Sequence, residues 1–389
     1  MALPHNDHDL SDPGILLSYL EHTPFASTRV DKLSGGVTNF VFRLYLSKPY
    51  VERGEQNIPL PTLILKHSKS WLSTNKEFYI DTTRQKVEAC ALRAVKNIFP
   101  DDSLVTVPKL FRHDEINHVL IMEDAGTESK NLKDLLRERP LDSNEARKLG
   151  VALGEFLAIV HNQGSKDTDL MKQVSEFEDS KKIYAGVTYE RVVHLLKSLE
   201  SKQNTGSTSH EANLREPSIR PFSEKDYEEI RALAESATKR ILEASTVFTM
   251  GDFWTANIIV DQDSSGRIKR AFVVDWELAR AGLPYLDYGQ LTAELHTLRL
   301  FYPEADTCVD EILASYALGY KRNSVVDAEF TRGAAIHVGA HLIAITQMAR
   351  WEPKERTPQV MLEGAEYMLH GNRRDLDWLS RSAVRFLLL

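Results

Sequence analysis

A loop and a hairpin late in the chain place two aspartates and an asparagine in a fixed order. Asp252 and Asn257 stand five positions apart in MGDFWTANIIV, and Asp275 ends the apolar run of VVDWE. This order is typical of phosphoryl-transfer sites, where a loop aspartate orients the attacking hydroxyl and an asparagine and a second aspartate hold Mg²⁺ ions that bridge nucleotide phosphates. The spacing therefore predicts that the three side chains converge around a divalent metal, with Asp252 as the catalytic residue.

Each of these residues also has a purely structural interpretation. Asp252 and Asn257 could cap backbone amides in a tight turn, and Asp275 could simply end a buried strand. However, an acid at the end of an apolar strand is costly to bury without a partner, and two neighbouring carboxylates repel each other without a metal. The joint spacing favours the catalytic interpretation.

Composition and charge exclude several other classes of protein. The 389 residues are 42% apolar and 27% charged, as in ordinary globular proteins, and the net charge of −8 gives no basic field for nucleic acid. The two cysteines, Cys90 and Cys308, are far apart, which argues against a disulfide framework or a zinc site and fits a reducing, cytoplasmic setting. The N-terminus has no basic start followed by an apolar run, so we expect no signal peptide. No stretch approaches the ~20 apolar residues of a membrane span, so we expect no membrane anchor.

The periodicity of apolar residues changes about a third of the way along the chain. Residues 30–123 contain strand-like runs around one amphipathic helix, predicted over residues 82–97. Helical patterns dominate afterwards, apart from strands predicted around residues 248–260 and 271–275 with a turn-rich connection. We predict an α+β fold with two lobes, the first an antiparallel sheet plus a helix and the second mainly helical.

The predicted lobes have distinct roles. Residues 1–123, of which residues 1–27 form a leader, would be the nucleotide-binding lobe, and residues 124–389 the catalytic and acceptor-binding lobe. Residues 201–221 are poor in apolar side chains and rich in Ser, Asn, Thr and Pro. This composition predicts a mobile loop within the second lobe.

Two motifs in the first lobe indicate phosphate binding. Ser34, Gly35 and Gly36 form a turn before a strand, where backbone amides could approach phosphate because glycine has no obstructing side chain. Lys66 ends the strand-like run TLIL, and Glu88 lies on the following helix. An ordinary hairpin turn, a surface lysine and a solvated glutamate are the alternatives. Their order before the Asp252 loop favours a phosphate-binding lysine with an acidic partner.

Together these motifs resemble the aminoglycoside phosphotransferase and choline kinase-like family of small-molecule kinases, which have a two-lobed protein-kinase-like fold. The resemblance extends over about residues 30–350. The segments LSGGVTNFVFRL, LILKH, MGDFWTANI and VVDWELARAGLPYLDYGQL are most similar to methylthioribose kinases and fungal 4-hydroxytryptamine kinases. The resemblance implies ATP-dependent transfer of the γ-phosphate to a hydroxyl of a small molecule, with ATP and Mg²⁺ as cofactors.

The resemblance also implies a role for individual residues of this chain. Asp252 would be the catalytic aspartate, and Lys66 would hold phosphate while Glu88 holds Lys66. The metal ions would be bound by Asn257 and Asp275, with Glu277 as a second acid nearby. The nucleotide would further contact Asn39 and, at the adenine, the peptide groups of Met122, Glu123 and Asp124.

The sequence departs from the family pattern at two places. Met250 stands where the family usually has a histidine, which removes a polar group that braces the loop. The glycine turn lacks the full G-x-G-x-x-G of protein kinases, and no A-P-E-like segment follows VVDWE, so a protein kinase is disfavoured. Met250 keeps open a second interpretation, a non-catalytic pseudokinase that binds a nucleotide or metabolite.

The acceptor is the least determined partner. A thiosugar, an indole alcohol, an aminoalcohol and an aminoglycoside all present a hydroxyl. Asp287 could cap the helix that follows it or bind the catalytic loop. We expect His337 and His341 to be packing residues, because their neighbours are apolar and no glutamate lies between them.

Overall fold

The chain forms two compact units. A computed structural model describes residues 9–33, 36, 38–52, 59–205, 222–349 and 351–388. Unit 1 comprises Met1–Leu132, Asp167–Phe177 and Asn257–Ala279, and unit 2 comprises Lys133–Lys166, Glu178–Ala256 and Arg280–Leu389. Unit 1 thus adds two later segments to the predicted first lobe, and the lobe boundary at residue 123 stays a prediction.

The strands of the described chain are short after the first three. They are β1 (Ser27–Lys32), β2 (Phe40–Tyr50), β3 (Leu60–His67), β4 (Trp71–Leu72), β5 (Asn75–Tyr79), β6 (Val105–Thr106), β7 (Leu110–Asp114), β8 (Val119–Glu123), β9 (Lys130–Asn131), β10 (Val247–Thr249), β11 (Ile258–Gln262), β12 (Ile268–Val273) and β13 (Arg280–Gly282).

Eleven of the thirteen α-helices of the described chain follow β9. They are α1 (Pro13–Leu20), α2 (Thr83–Ile98), α3 (Leu132–Glu138), α4 (Ser143–Gly164), α5 (Thr168–Val174), α6 (Asp179–Ala185), α7 (Val192–Thr205), α8 (Glu224–Glu243), α9 (Pro284–Phe301), α10 (Asp306–Asn323), α11 (Ala328–Ala344), α12 (Thr357–Arg373) and α13 (Leu376–Leu379).

The main sheet of unit 1 is antiparallel throughout, in the order β1-β2-β3-β8-β7. Alternate residues of β2, Phe40, Phe42 and Leu44, are buried because successive side chains of a strand point to opposite faces. Helix α2 contacts β7 and buries apolar side chains, among them Val87 and Leu92. The predicted antiparallel sheet plus helix is confirmed.

A second sheet of unit 1 positions the metal-binding candidates. Its order is β6-β12-β11-β9, and β11 and β12 form the predicted hairpin. At the open end of this hairpin, Val274 donates its N–H to the carbonyl of Asn257 at 2.9 Å. Asn257 and Asp275, which are far apart in sequence, therefore lie on neighbouring chain segments.

Unit 2 is mainly helical, as predicted. Helix α4 packs along α10, and α11 packs against α9 and α12. Nearly all residues of α11 from Gly333 onwards are buried, which explains why this helix is apolar around its circumference. The small sheet of this unit pairs β10 with β13 and leads into the loop that contains Asp252.

The segment predicted as a mobile loop begins as helix. Helix α7 continues to Thr205, five residues into residues 201–221, and so corrects the start of that loop. Residues 206–221 lie outside the described residues. No helix within the described ranges is both long and apolar enough to cross a lipid bilayer.

Candidate active site

Lys66 is the centre of a buried charged cluster in unit 1. It lies near the end of β3, where Val41 of β2 and Leu120 of β8 flank it in the sheet. Its Nζ donates to Glu88 Oε1 of α2 at 2.8 Å and also to Asp275 Oδ1. Lys66 and Glu88 are 6% and 1% exposed, so water screens this pair poorly. The structure thus forms the lysine–glutamate pair that the resemblance implied and adds Asp275 to it.

The electrostatics of the cluster favour a permanently charged lysine. Burial opposes the charge of the ammonium group, but the carboxylates of Asp275, Glu88 and Glu277 outweigh burial and raise the pKa of Lys66. Burial also raises the pKa of Glu88, although the ammonium group of Lys66 acts in the opposite direction. Lys66 therefore remains a cation at neutral pH, as a phosphate-binding lysine must.

Glu277 is held by two donors that are distant from each other in sequence. Asn39 Nδ2 donates to Glu277 Oε2 at 2.7 Å, and Arg84 Nε donates to the same oxygen at 3.2 Å. Asn39 in turn accepts from the Ser68 hydroxyl at 2.7 Å. Arg84 is fully buried on α2, one helical turn before Glu88, and the sequence analysis missed it. In this structure Asn39 orients an acid of the cluster, and its predicted contact with nucleotide stays a prediction.

The carboxylates of this cluster suit a hard divalent cation. One oxygen each of Glu88, Asp275 and Glu277 lies within 4.8 Å of the others. Glu88 Oε2 is buried and has no hydrogen-bond partner among the described residues. Oxygen ligands are those that Mg²⁺ prefers, and three carboxylates against the two cations Lys66 and Arg84 leave an excess of negative charge. The residues present therefore fit Mg²⁺.

The group contains one acid that was not a predicted metal ligand. Glu88 joins Asp275 and Glu277 in the group, whereas Asn257 is placed beside Asp275 through its main-chain carbonyl. Asn257 is buried at 7% exposure. Its role as a ligand stays a prediction.

The backbone of Asp275 has an unusual conformation. Its φ of 68° lies in the left-handed region, which residues other than glycine, asparagine and aspartate rarely adopt. Such conformations persist only where the surrounding structure compensates for the strain, and they cluster at functional sites. Here the turn after β12 directs the Asp275 carboxylate toward Lys66 and the other acids.

The remaining nucleotide-binding candidates of unit 1 are engaged with other groups. At the end of β8, the N–H of Glu123 donates to the Lys109 carbonyl at 2.9 Å, and Asp124 accepts from Arg43 at 2.7 and 3.0 Å. Met122 is buried within the sheet. The adenine contact predicted for these peptide groups stays a prediction.

The glycine turn is described only in part. Gly36 accepts from the Ser73 hydroxyl at 2.7 Å, and a Cβ atom there would lie 2.6 Å from the carbonyl oxygen of Asn39, so only glycine fits. Ser34 and Gly35 lie outside the described residues. Their predicted contact with phosphate stays a prediction.

In unit 2, Asp287 braces the loop that carries Asp252. Its two carboxylate oxygens accept from the N–H groups of Met250 and Gly251 at 2.7 and 2.9 Å. His161 of α4 lies 3.2 Å from Asp287 through Nε2 and 2.9 Å from the Tyr320 hydroxyl through Nδ1. A carboxylate only accepts, so Nε2 of His161 donates to Asp287.

These contacts show how the loop is held with Met250 in place of the expected histidine. Its side chain is fully buried, and its backbone is fixed by Asp287. Gly251 adopts a φ of 81°, a left-handed conformation that a side chain would strain. The loop is therefore braced through its main chain, and a polar side chain at position 250 is not required to hold it.

Asp252 itself is held by a residue that the sequence analysis missed. Gln290 of α9 donates from Nε2 to Asp252 Oδ1 at 2.8 Å. The guanidinium group of Arg280 is also buried nearby, over the ring of Tyr184 at 4.0 Å, and burial lowers the pKa of Arg280. Asp252 belongs to unit 2, whereas Lys66 and Asp275 belong to unit 1.

The two histidines of α11 are satisfied within unit 2. His337 lies between the hydroxyls of Tyr184 and Tyr189, at 2.9 and 2.8 Å. His341 Nε2 lies 2.8 Å from Glu294 Oε1. These contacts agree with a packing role for both residues.

The chain matches one protein family over more than half its length. The matched region, residues 79–292, includes α2, the Asp252 loop and Asp275. The chain belongs to the ecdysteroid kinase-like family. Membership of this kinase-like family, together with the α+β architecture, bears out the resemblance to small-molecule kinases.

Full-length relatives of this ecdysteroid kinase-like chain are named as kinases. It is 27% identical over 372 residues to the 4-hydroxytryptamine kinase of Psilocybe cyanescens, and the alignment covers 94% of each chain. It is 26% identical over 369 residues to the 4-hydroxytryptamine kinase of Psilocybe cubensis, with 92% of each chain covered. Kinase activity is therefore supported at the level of the family.

Solved structures show a weaker likeness. An ADP-bound aminoglycoside phosphotransferase matches with a TM-score of 0.46 and 15% identity, over 91% of this chain and 98% of that one. An ethanolamine kinase of Plasmodium vivax matches with a TM-score of 0.44 and 12% identity, over 93% of this chain and 87% of that one.

Replacing Asp287 by alanine is expected to destabilise the protein and slow turnover. The change leaves the buried N–H groups of Met250 and Gly251 without an acceptor, which costs roughly 1–3 kcal/mol for each group. Urea denaturation measures the loss of unfolding free energy. Asp142→Ala is the matched control: Asp142 also accepts from two backbone amides, but at the exposed start of α4, where a lost cap costs about 1 kcal/mol. Equal losses for both variants would contradict a bracing role for Asp287.

Proposed function

We propose that this protein is an ATP-dependent kinase that transfers the γ-phosphate to a hydroxyl of a small molecule. The observation that carries the proposal is the buried ammonium group of Lys66, which contacts both Glu88 and Asp275. A buried lysine that is held by an acid of the neighbouring helix and lies beside a metal-binding acid is suited to gripping nucleotide phosphates. Family membership supports the same reaction class.

The proposed roles follow from the chemistry of each group. Lys66 would bind the nucleotide phosphates, and Asp252 would orient the acceptor hydroxyl and take its proton. Glu88, Asp275 and Glu277 would hold Mg²⁺, with Asn257 as a further ligand beside Asp275. When bound, Mg²⁺ neutralises charge on the phosphate oxygens. Phosphoryl transfer passes through a loose transition state, so the protein acts mainly by positioning and by electrostatic stabilisation.

The acceptor we propose is a small alcohol or phenol. Two relatives that match along nearly the whole chain are 4-hydroxytryptamine kinases, which favours a 4-hydroxytryptamine-like acceptor. A methylthioribose-like sugar is the other candidate. Neither nucleic acid nor a membrane is needed as a partner, and the predicted cytoplasmic setting supplies ATP.

The competing proposal is a pseudokinase that binds nucleotide without turnover. Met250, in place of the family's histidine, is the feature that favours it. Two measurements distinguish the proposals. A thermal-shift assay with ATP and Mg²⁺ tests nucleotide binding, because a ligand that binds only the folded state raises the melting temperature. An ADP-release assay with a panel of acceptors tests turnover.

The panel contains 4-hydroxytryptamine, methylthioribose, choline and an aminoglycoside. We expect a thermal shift with ATP and Mg²⁺, and ADP release that depends on one of the acceptors. A thermal shift without acceptor-dependent ADP release would favour the pseudokinase. No shift with nucleotide would contradict both proposals.

A further inference from the structure

Gln290 carries an unused hydrogen-bond acceptor beside Asp252. Its side chain is 6% exposed on α9, and Nε2 donates to Asp252 Oδ1 at 2.8 Å. The other amide atom, Oε1, is buried and has no hydrogen-bond donor among the described residues. Buried polar atoms in native proteins nearly always have a partner, so an unpaired one next to a catalytic candidate calls for an explanation.

The chemistry of Asp252 fixes the orientation of the Gln290 amide. A carboxylate only accepts hydrogen bonds, so the NH₂ group must face it. The flipped amide would place its oxygen against a carboxylate oxygen, which is repulsive. Oε1 therefore points away from Asp252 and cannot exchange places with Nε2 to find a donor.

The polar residue one helical turn further along α9 cannot supply that donor. Glu294, one helical turn further on, accepts from Thr255 Oγ1 at 3.4 Å and lies 2.8 Å from His341 Nε2. It is a buried acceptor, with 1% exposure. Asp252, Gln290 Oε1 and Glu294 thus present acceptors only, and a complementary molecule has to present donors.

We propose that Gln290 binds the acceptor molecule through Oε1 while it positions Asp252 through Nε2. This inference rests on the proposed function. The hydroxyl that is phosphorylated gives its proton to Asp252, so Oε1 requires a second donor on the same molecule. Because the two amide atoms of Gln290 share one carbon, this second donor lies close to the reacting hydroxyl. The preferred acceptors then carry an additional hydroxyl, an amine or an N–H group, and simple alcohols or phenols without one are poor substrates.

The test compares two proteins, each assayed with a parent acceptor and with analogues of that acceptor. The proteins are wild type and Gln290→Met, which keeps the side-chain length but removes the amide. With 4-hydroxytryptamine as the acceptor, the analogues are the one methylated on the indole nitrogen and the quaternary trimethylammonium one, each of which lacks one kind of N–H. For another acceptor from the panel, the analogues are its methyl ethers or N-methyl derivatives. The readout is kcat/KM for each combination.

We expect wild type to lose about 10- to 100-fold in kcat/KM with one of the analogues, because a buried acceptor is left unpaired. For Gln290→Met, kcat/KM with that analogue should lie within about threefold of kcat/KM with the parent acceptor. The variant also loosens Asp252, but that effect lowers kcat for every acceptor alike and cancels in the ratio. Gln347→Met, at an exposed position of the same unit, should keep the wild-type ratio.

Several results would overturn the inference. It fails if wild type discriminates against neither analogue, or if Gln290→Met keeps the full discrimination. If Gln290→Met does not fold, Gln290→Asn replaces it, since a shorter amide withdraws Oε1 and should also lose the discrimination. If wild type phosphorylates no acceptor while it binds ATP, the proposed function fails instead, and the inference falls with it.

Discussion

Asp252→Asn is expected to lower kcat by about 10³-fold, or about 4 kcal/mol of activation free energy, with little change in stability. The amide is a much weaker proton acceptor than the carboxylate, but it has the same shape and can still accept from Gln290 Nε2. KM for ATP should change little, because Asp252 acts on the acceptor side of the reaction. Steady-state ADP release at saturating ATP and acceptor measures the effect.

Asp179→Asn is the control for this variant. Asp179 is exposed at the start of α6 and pairs only with Lys182, at 3.1 Å, in the described chain. Its replacement should leave kcat unchanged and unfolding free energy within about 0.5 kcal/mol. A wild-type rate for Asp252→Asn would remove Asp252 from the catalytic role.

Asp275→Asn should abolish both turnover and the metal-dependent part of ATP binding. The substitution removes one carboxylate ligand of Mg²⁺ and one charged partner of Lys66. We therefore expect kcat/KM for ATP to fall by at least about 10³-fold. Asparagine is chosen because, like aspartate, it tolerates the φ of 68° at this position, whereas alanine would add backbone strain. The measurement is the thermal shift by ATP with and without Mg²⁺, followed by ADP release.

The matched control is Asp261→Asn in the same hairpin. Asp261 pairs with Lys269 at 2.9 Å and lies outside the charged cluster around Lys66. It should retain the Mg²⁺-dependent shift and the rate of wild type. If Asp275→Asn also retained the Mg²⁺-dependent shift, the metal would have to be held elsewhere.

The parts of this site that could be predicted from the sequence are those with short-range signals. Lys66 at the end of an apolar run, Glu88 on the next helix and the hairpin before Asp275 each have a local pattern, and the structure brings the three residues together. The antiparallel sheet was predictable for the same reason, because alternation along β2 requires only neighbouring residues.

The residues that the sequence analysis missed are defined by distant partners. Arg84 forms a hydrogen bond with Glu277, which is 193 positions away in sequence, and Gln290 forms one with Asp252, which is 38 positions away. Arg84 carried one signal: it lies one turn before Glu88 on a helix face whose apolar pattern indicates burial, and a buried cation needs an acid. Gln290 had no comparable signal, since a glutamine within a buried helix has no preferred partner type. The later segments of unit 1 are a similar case, because β11 and β12 pair with β9 and β6, which are distant in sequence.

The most direct test of the central claim is ³¹P NMR of the wild-type protein with ATP, Mg²⁺ and the acceptor panel. We predict a new phosphomonoester resonance for one acceptor that grows as the γ-phosphate signal of ATP falls, requires Mg²⁺ and is absent with Asp252→Asn. Binding of ATP with no phosphomonoester from any of the acceptors would contradict the assignment as a small-molecule kinase.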